Sequence, residues 1–115
     1  MDVTGTLPLC ADESFSDSLS FDRLHPRCRC INIKLDKSGG LTDALRCAAI
    51  GRKRGLELFA GNMLGTSLGM APAFIIAQRC RWADLDGPLL LARDREQAFK
   101  FVGSMMQPYG PEVWG

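Results

Sequence analysis

The sequence predicts an α/β fold with parallel strands, and within that class one half of a (β/α)8 TIM-type barrel. Three observations predict it. Four apolar, strand-like segments begin at residues 7, 30, 56 and 82, with helical text between them. That even spacing reads as consecutive βα units, in which crossover helices make neighbouring strands parallel. Ionisable residues gather where the strands end: Asp12, Lys34, and the pair Asp84 and Asp86, with Asn62 following the third strand. Such a gathering marks the active face of α/β folds, above all of barrels. A complete barrel takes roughly 250 residues, so 115 residues accommodate four of its eight units.

Each element has its own justification. The first strand, residues 7–12, runs into Ala-Asp-Glu-Ser and not into a glycine-rich phosphate loop, which removes support for a nucleotide-binding open sheet. Residues 18–24 form a short helix closed at His25-Pro26, because proline disfavours the α conformation in its predecessor. The second strand, residues 30–35, places Ile31, Ile33 and Leu35 on one face and Asn32, Lys34 and Asp36 on the other. Residues 41–54 are the clearest helix, with Leu41, Ala44, Leu45 and Ala48 in one apolar stripe. Thr42 and Asp43 suit its first turn, Arg52, Lys53 and Arg54 its last, and Gly55 its stop. The third strand covers residues 56–61. A helix over 67–80, apolar nearly all round, tolerates Pro72 near its first turn. The fourth strand covers 82–85, and residues 1–94 make up the half-barrel, leaving 95–115 as a tail.

Composition excludes several function classes. Fourteen Lys and Arg against thirteen Asp and Glu give a net charge of +1, where a nucleic-acid binder or a polybasic membrane binder would show a basic excess. Apolar residues at 46% and charged residues at 23% are globular values and argue against disorder. No apolar run approaches the roughly 20 residues that span a bilayer. The opening MDVTGTLPLC has neither the basic start nor the long apolar stretch of a signal peptide. Five cysteines without an export signal (Cys10, Cys28, Cys30, Cys47 and Cys80) are expected to be reduced thiols of a cytoplasmic protein.

The strand ends carry the candidate chemistry. Facing a barrel axis, Lys34 would sit in a confined site where its pKa falls and it acts as a general base; otherwise it is a strand-end lysine reaching solvent. Lys37, past the strand end, is expected to be a solvated loop residue. Asp12, followed by Glu13, either caps the next turn or donates oxygen to a hard cation such as Mg²⁺, which wants further ligands. Asp84 and Asp86, two apart, project from one strand face and suit a bound ammonium group; the alternative is a solvated strand end with a turn at Gly87-Pro88. The stretch GNMLGTS brings glycines and a cap, Thr66 or Ser67, to a helix N-terminus able to receive an anion. His25 reads as a turn residue, and two thiols at Cys28 and Cys30 without a second pair make zinc improbable.

Four motifs in order, LPLCADES, NIKLDKSGGLTDAL, GNMLGTSLGMAPA and ADLDGPLLL, resemble the C-terminal part of dipeptide epimerases. These belong to the muconate-lactonizing subgroup of the enolase superfamily, and the resemblance runs from about residue 7 to residue 91. It implies that the segments are barrel strands five to eight, the C-terminal half. It implies Mg²⁺ as cofactor, Asp12 as a metal ligand with Glu13 behind it, and Lys34 as one of two catalytic lysines flanking the substrate α-carbon. One lysine would remove the α-proton, Mg²⁺ would stabilise the enediolate, and the opposite lysine would return a proton to the other face. Asp84 and Asp86 match the pair that holds a dipeptide's α-ammonium. That pair favours a dipeptide substrate over those of N-acylamino acid racemases or o-succinylbenzoate synthases, which lack the ammonium.

Gly61-Asn62-Met63 departs from the family's frequent Gly-Cys-Met and places Asn62 and Met63 at the substrate pocket. The family's second lysine, its other metal ligands and its capping domain precede these motifs, and the tail resembles the segment that returns toward that cap. The expectation is therefore a fragment of a dipeptide epimerase that is inactive by itself. The alternative is a non-catalytic half-barrel remnant or interaction module that self-associates through open strand edges.

Overall fold

The structure, a computed structural model, describes residues 7–114. The signal-peptide reading of the N-terminus and the start of the half-barrel therefore lie, for residues 1–6, outside the described residues. In chain order come β1 (Leu9–Ala11), a 3-10 turn (Ser18–Arg23), β2 (Cys28–Lys34), α1 (Gly40–Lys53), β3 (Glu57–Gly61), α2 (Ser67–Ala77) and β4 (Trp82–Ala83). A second 3-10 turn (Gly87–Leu90) leads to a small hairpin of β5 (Phe101–Val102) and β6 (Met105–Met106). The first four strands form one sheet in the order β1-β2-β3-β4, every pair parallel. This is the α/β architecture of a partial barrel that the spacing of strands predicts.

The two faces of the sheet divide as the alternation in β2 requires. Ile31, Ile33, Leu58 and Ala60 meet Ala44, Cys47 and Ala48 of α1 in one core, joined by Phe15, Phe21 and Ile76. Asn32 and Lys34 point the other way, and Lys34 pairs in register with Gly61. The apolar girth of α2 follows from its position between two cores. Ile76 joins the first, while Met70, Ala71 and Ala73 pack with Leu85, Phe99 and Val113 in a second. Gly55, at φ +73°, ends α1 in the left-handed region where the sequence places its stop.

Several elements are shorter than expected. The first helix is a 3-10 turn, opened by a reciprocal cap between Asp17 and Ser20. α2 stops at Ala77 because the amides of Arg79 and Cys80 bond three residues back, to Ile76 and Ala77 at 2.9 and 3.0 Å. The fourth strand keeps two residues of the expected four. Its ladder adds one more bond, from the Asp84 amide to the Ala60 carbonyl at 2.8 Å, and then the chain turns away.

The tail is fastened to α2. Rings of Phe74, Phe99 and Tyr109 cluster with centroids 5.0 to 5.8 Å apart, and the Tyr109 hydroxyl donates to the Ala71 carbonyl at 2.8 Å. Asp94 supplies the cap that Thr66 does not, accepting from both the amide (3.0 Å) and the hydroxyl of Ser67. The anion at this helix N-terminus is thus the chain's own carboxylate. Burial alone would raise the Asp94 pKa, but these bonds and the Arg95 amide outweigh it and hold the carboxyl below its usual range. Asp94→Ala should cost about 1–2 kcal/mol and speed hydrogen exchange through residues 95–110, read by urea unfolding and by NMR. Unchanged exchange there would show that the rings alone hold the tail. No helix among the described residues is long and apolar enough to cross a membrane.

Candidate active site

At the C-terminal ends of β1 and β2 the structure brings together four of the charged residues that the sequence marks. The Lys34 ammonium lies 2.9 Å from the Asp12 carboxylate and 3.7 Å from Glu13, and Glu13 in turn holds Lys37 at 2.6 Å. Lys34 keeps only 11% of its side chain exposed, against 45% for Asp12 and 79% for Glu13. A partly buried lysine therefore sits at the base of a solvent-facing acidic pair.

Three readings are corrected here. The Lys34 pKa is raised, not lowered: its hydrogen bond to Asp12 favours the ammonium more than burial disfavours it. Lys37 is not a free loop residue. The tight turn after β2, closed by the Lys37 amide on the Lys34 carbonyl at 3.0 Å, folds it back onto Glu13. Asp12 does not cap a helix; its side chain faces Lys34, and its carbonyl closes a turn with the Phe15 amide at 3.1 Å.

Asn32 is a neighbour that sequence reasoning placed on the right face without giving it a role. Its amide nitrogen donates to Asp12 at 3.3 Å, while its oxygen, buried, has no partner among the described residues. The amide lies directly over Gly61, where an added Cβ would sit 2.5 Å from that oxygen. The signal available in the sequence was the alternation that puts Asn32 beside Lys34.

On the far side of the sheet Asp84 and Asp86 lie past the end of β4, not within it, and both are exposed. They still interact. Burial, then the hydrogen bond and charge of Asp84, push the Asp86 carboxyl up, as expected of two carboxylates sharing one region. Asn62 joins them. With its amide turned to satisfy its surroundings, the side-chain oxygen accepts from the Gly87 amide at 2.9 Å and the Asp86 amide at 3.2 Å. Met63 is about half exposed, and its amide donates to Asp36 at 3.2 Å. So Asp36, in the turn after β2, and Asn62 together fix the loop between β3 and α2.

Comparison with known proteins decides the relationship. No family model matches the chain. An N-acetyl-D-glutamate racemase from a Pseudoalteromonas species is 43% identical over all 115 residues, which cover 36% of that protein. An L-Ala-D/L-Glu epimerase from Escherichia coli K12 is 45% identical over 96 residues, 84% of this chain and 30% of the epimerase. Among solved structures, an enolase family member from Agrobacterium tumefaciens with homology to dipeptide epimerases superposes with a TM-score of 0.92 at 49% identity. That structure holds sodium and L-Ala-L-Glu, and the superposition covers 98% of this chain and 35% of the other. The chain belongs to the enolase superfamily, beside its dipeptide epimerases.

This enolase-superfamily chain spans about a third of the length of the relatives it matches. A dipeptide epimerase from Methylococcus capsulatus, crystallised with Mg and L-Arg-D-Lys, matches 81% of it at 38% identity and a TM-score of 0.73. Asp12 offers the hard oxygen donor that such an ion prefers. Among the described residues, however, no three His, Cys, Asp or Glu side chains cluster to hold a metal. The residues present fit a contribution to a metal centre, not the whole of one.

Proposed function

We propose that this chain carries part of the active face of a dipeptide epimerase, a Mg-dependent isomerase that inverts an amino-acid α-carbon by two-base 1,1-proton transfer. The observation that carries the reading is the Lys34–Asp12 pair at 2.9 Å on adjacent strand ends. Lys34 is the acid/base group on one face of the α-carbon. Its bond to Asp12 favours the ammonium in this arrangement, and across the two directions of an epimerisation the same group must serve as acid and as base. Asp12 is also the residue that would ligate Mg²⁺, with Glu13 adjoining it, and the ion would supply positive charge to a substrate carboxylate.

Asp84 and Asp86 anchor the substrate's α-ammonium, since a cation between them relieves their mutual repulsion. Asn62 and Met63 border the same end of the sheet, and the half-exposed Met63 completes the substrate contact. Residues 1–94 form the barrel segment, and 95–115 the tail that returns toward a capping domain. One acid/base lysine cannot serve both faces of a carbon, and Asp12 alone cannot hold the ion that would acidify the α-proton, so the 115-residue polypeptide alone turns over no substrate. With Mg²⁺ and L-Ala-L-Glu in D2O, proton NMR should show no loss of the α-proton signal. Exchange above the protein-free rate would overturn this.

A second reading has a specific observation behind it. The relative matched over every residue of the chain is a racemase of N-acetyl-D-glutamate, whose amine is acylated and uncharged. If the substrate is of that kind, Asp84 and Asp86 hold no ammonium. Calorimetry with L-Ala-L-Glu against N-acetyl-L-glutamate, repeated on Asp84→Asn/Asp86→Asn, separates the two: only dipeptide binding should suffer. A non-catalytic reading rests on β1 and β4, which form the edges of the sheet and invite self-association. A monomer by sedimentation would remove it.

A further inference from the structure

We infer that Asn62 is a positioning residue that presets the Asp84–Asp86 pair, and so tunes discrimination between ammonium-bearing and uncharged ligands. The part concerning ligands rests on the reading of those carboxylates as ammonium anchors. Three observations converge on Asn62. Its side-chain oxygen accepts two successive amides, Asp86 at 3.2 Å and Gly87 at 2.9 Å, which fixes the backbone direction at the residue carrying one carboxylate. Gly87 is buried against the loop: an added Cβ would lie 3.0 Å from the Asn62 amide, 3.0 Å from the Met63 carbonyl and 3.3 Å from the Gly65 nitrogen. The loop that presents Asn62 is itself held from the turn after β2, by Asp36 accepting from the Met63 amide.

The consequence is electrostatic. Left to themselves, two neighbouring carboxylates move apart or take up a proton, and either response weakens a cation site. Asn62 opposes the first by clamping the backbone at Asp86, and a bound ammonium opposes the second by favouring the charged form of both carboxylates. The ordering is done before a ligand arrives, which is how a preorganised site gains affinity. An uncharged ligand draws nothing from that proximity.

The test uses the 115-residue chain with Asn62→Ala and with Asn62→Asp, which keeps an acceptor oxygen in place. Hydrogen exchange by NMR should show the Asp86 and Gly87 amides protected in the wild type. Asn62→Ala should lower that protection about tenfold, and Asn62→Asp should restore it. Titration with L-Ala-L-Glu should weaken about tenfold in Asn62→Ala, while N-acetyl-L-glutamate should bind it and the wild type equally. An equal loss for both ligands would mean a merely structural role and overturn the proposal. Wild-type amides exchanging at the rate of a free peptide would overturn it too, and that reading survives a variant that fails to fold. If neither ligand binds the wild type, the ammonium reading fails, and the exchange data alone decide whether the clamp exists.

Discussion

Gly61→Val should destabilise the chain by about 3 kcal/mol or more, because a side chain at Gly61 runs into the buried Asn32 amide. A Cβ there would stand 2.5 Å from the Asn32 oxygen, 2.8 Å from its nitrogen and 3.0 Å from its carbonyl carbon. The backbone of β3 cannot retreat, since Gly61 is paired with Lys34 at the end of the ladder. The Asn32 amide must therefore swing away, which breaks its bond to Asp12 and leaves a second buried polar atom beside one already unpartnered. Gly61→Ala should act in the same direction with about 1–3 kcal/mol. A double-mutant cycle checks the cause: Asn32→Ala in the Gly61→Ala background should recover most of the loss, because the conflict is with that amide alone. Additive losses in urea unfolding would sink the explanation. The same contact carries a functional consequence, since Asp12 would then have Lys34 as its remaining close holder.

The parallel sheet, its order and the faces of β2 were legible because they depend on local alternation and even spacing, which one sequence displays. Lys34 and Asp12 were legible for the same reason: they end strands. The direction of the Lys34 pKa was not. It depends on how β1 is set against β2, and a register shift between Leu9 and Cys10 brings Ala11 opposite Ile31, with Asp12 beside Asn32. No alternation pattern announces a bulge of that kind. Asp94 was hidden by distance, since it caps a helix that begins 27 residues earlier from a stretch with no periodicity of its own. The brevity of β4 was equally invisible, because the chain turns away after Asp84 bonds the Ala60 carbonyl, while β3 runs on to Gly61. Asn62 was singled out as a departure from its family, yet what it does followed only from the turn that the fold places against it.

Asp43→Ala should cost about 3 kcal/mol at neutral pH, with a loss that shrinks on acidification. Asp43 sits in the first turn of α1 but works mainly across the fold. It accepts from the Ser18 hydroxyl at 2.7 Å, the Ser18 amide at 3.3 Å and the Gly39 amide at 3.4 Å, with 12% of its side chain exposed. Removing it strands two backbone donors and frees the 3-10 turn from the helix, which uncovers Phe15 and Phe21 of the first core. The Ser18 hydroxyl, assisted by the two amides and opposed by burial, holds the Asp43 carboxyl below its usual range. A carboxyl depressed in the folded state stabilises fully above its unfolded value, about 3.9, and loses that contribution as pH falls through the folded one. The gap between wild type and Asp43→Ala should therefore be widest above about pH 5 and narrow toward pH 2. Urea unfolding at both limits measures it. A gap that stays constant would mean that the donors recognise the protonated acid as well as the carboxylate, and that the anchor is not electrostatic.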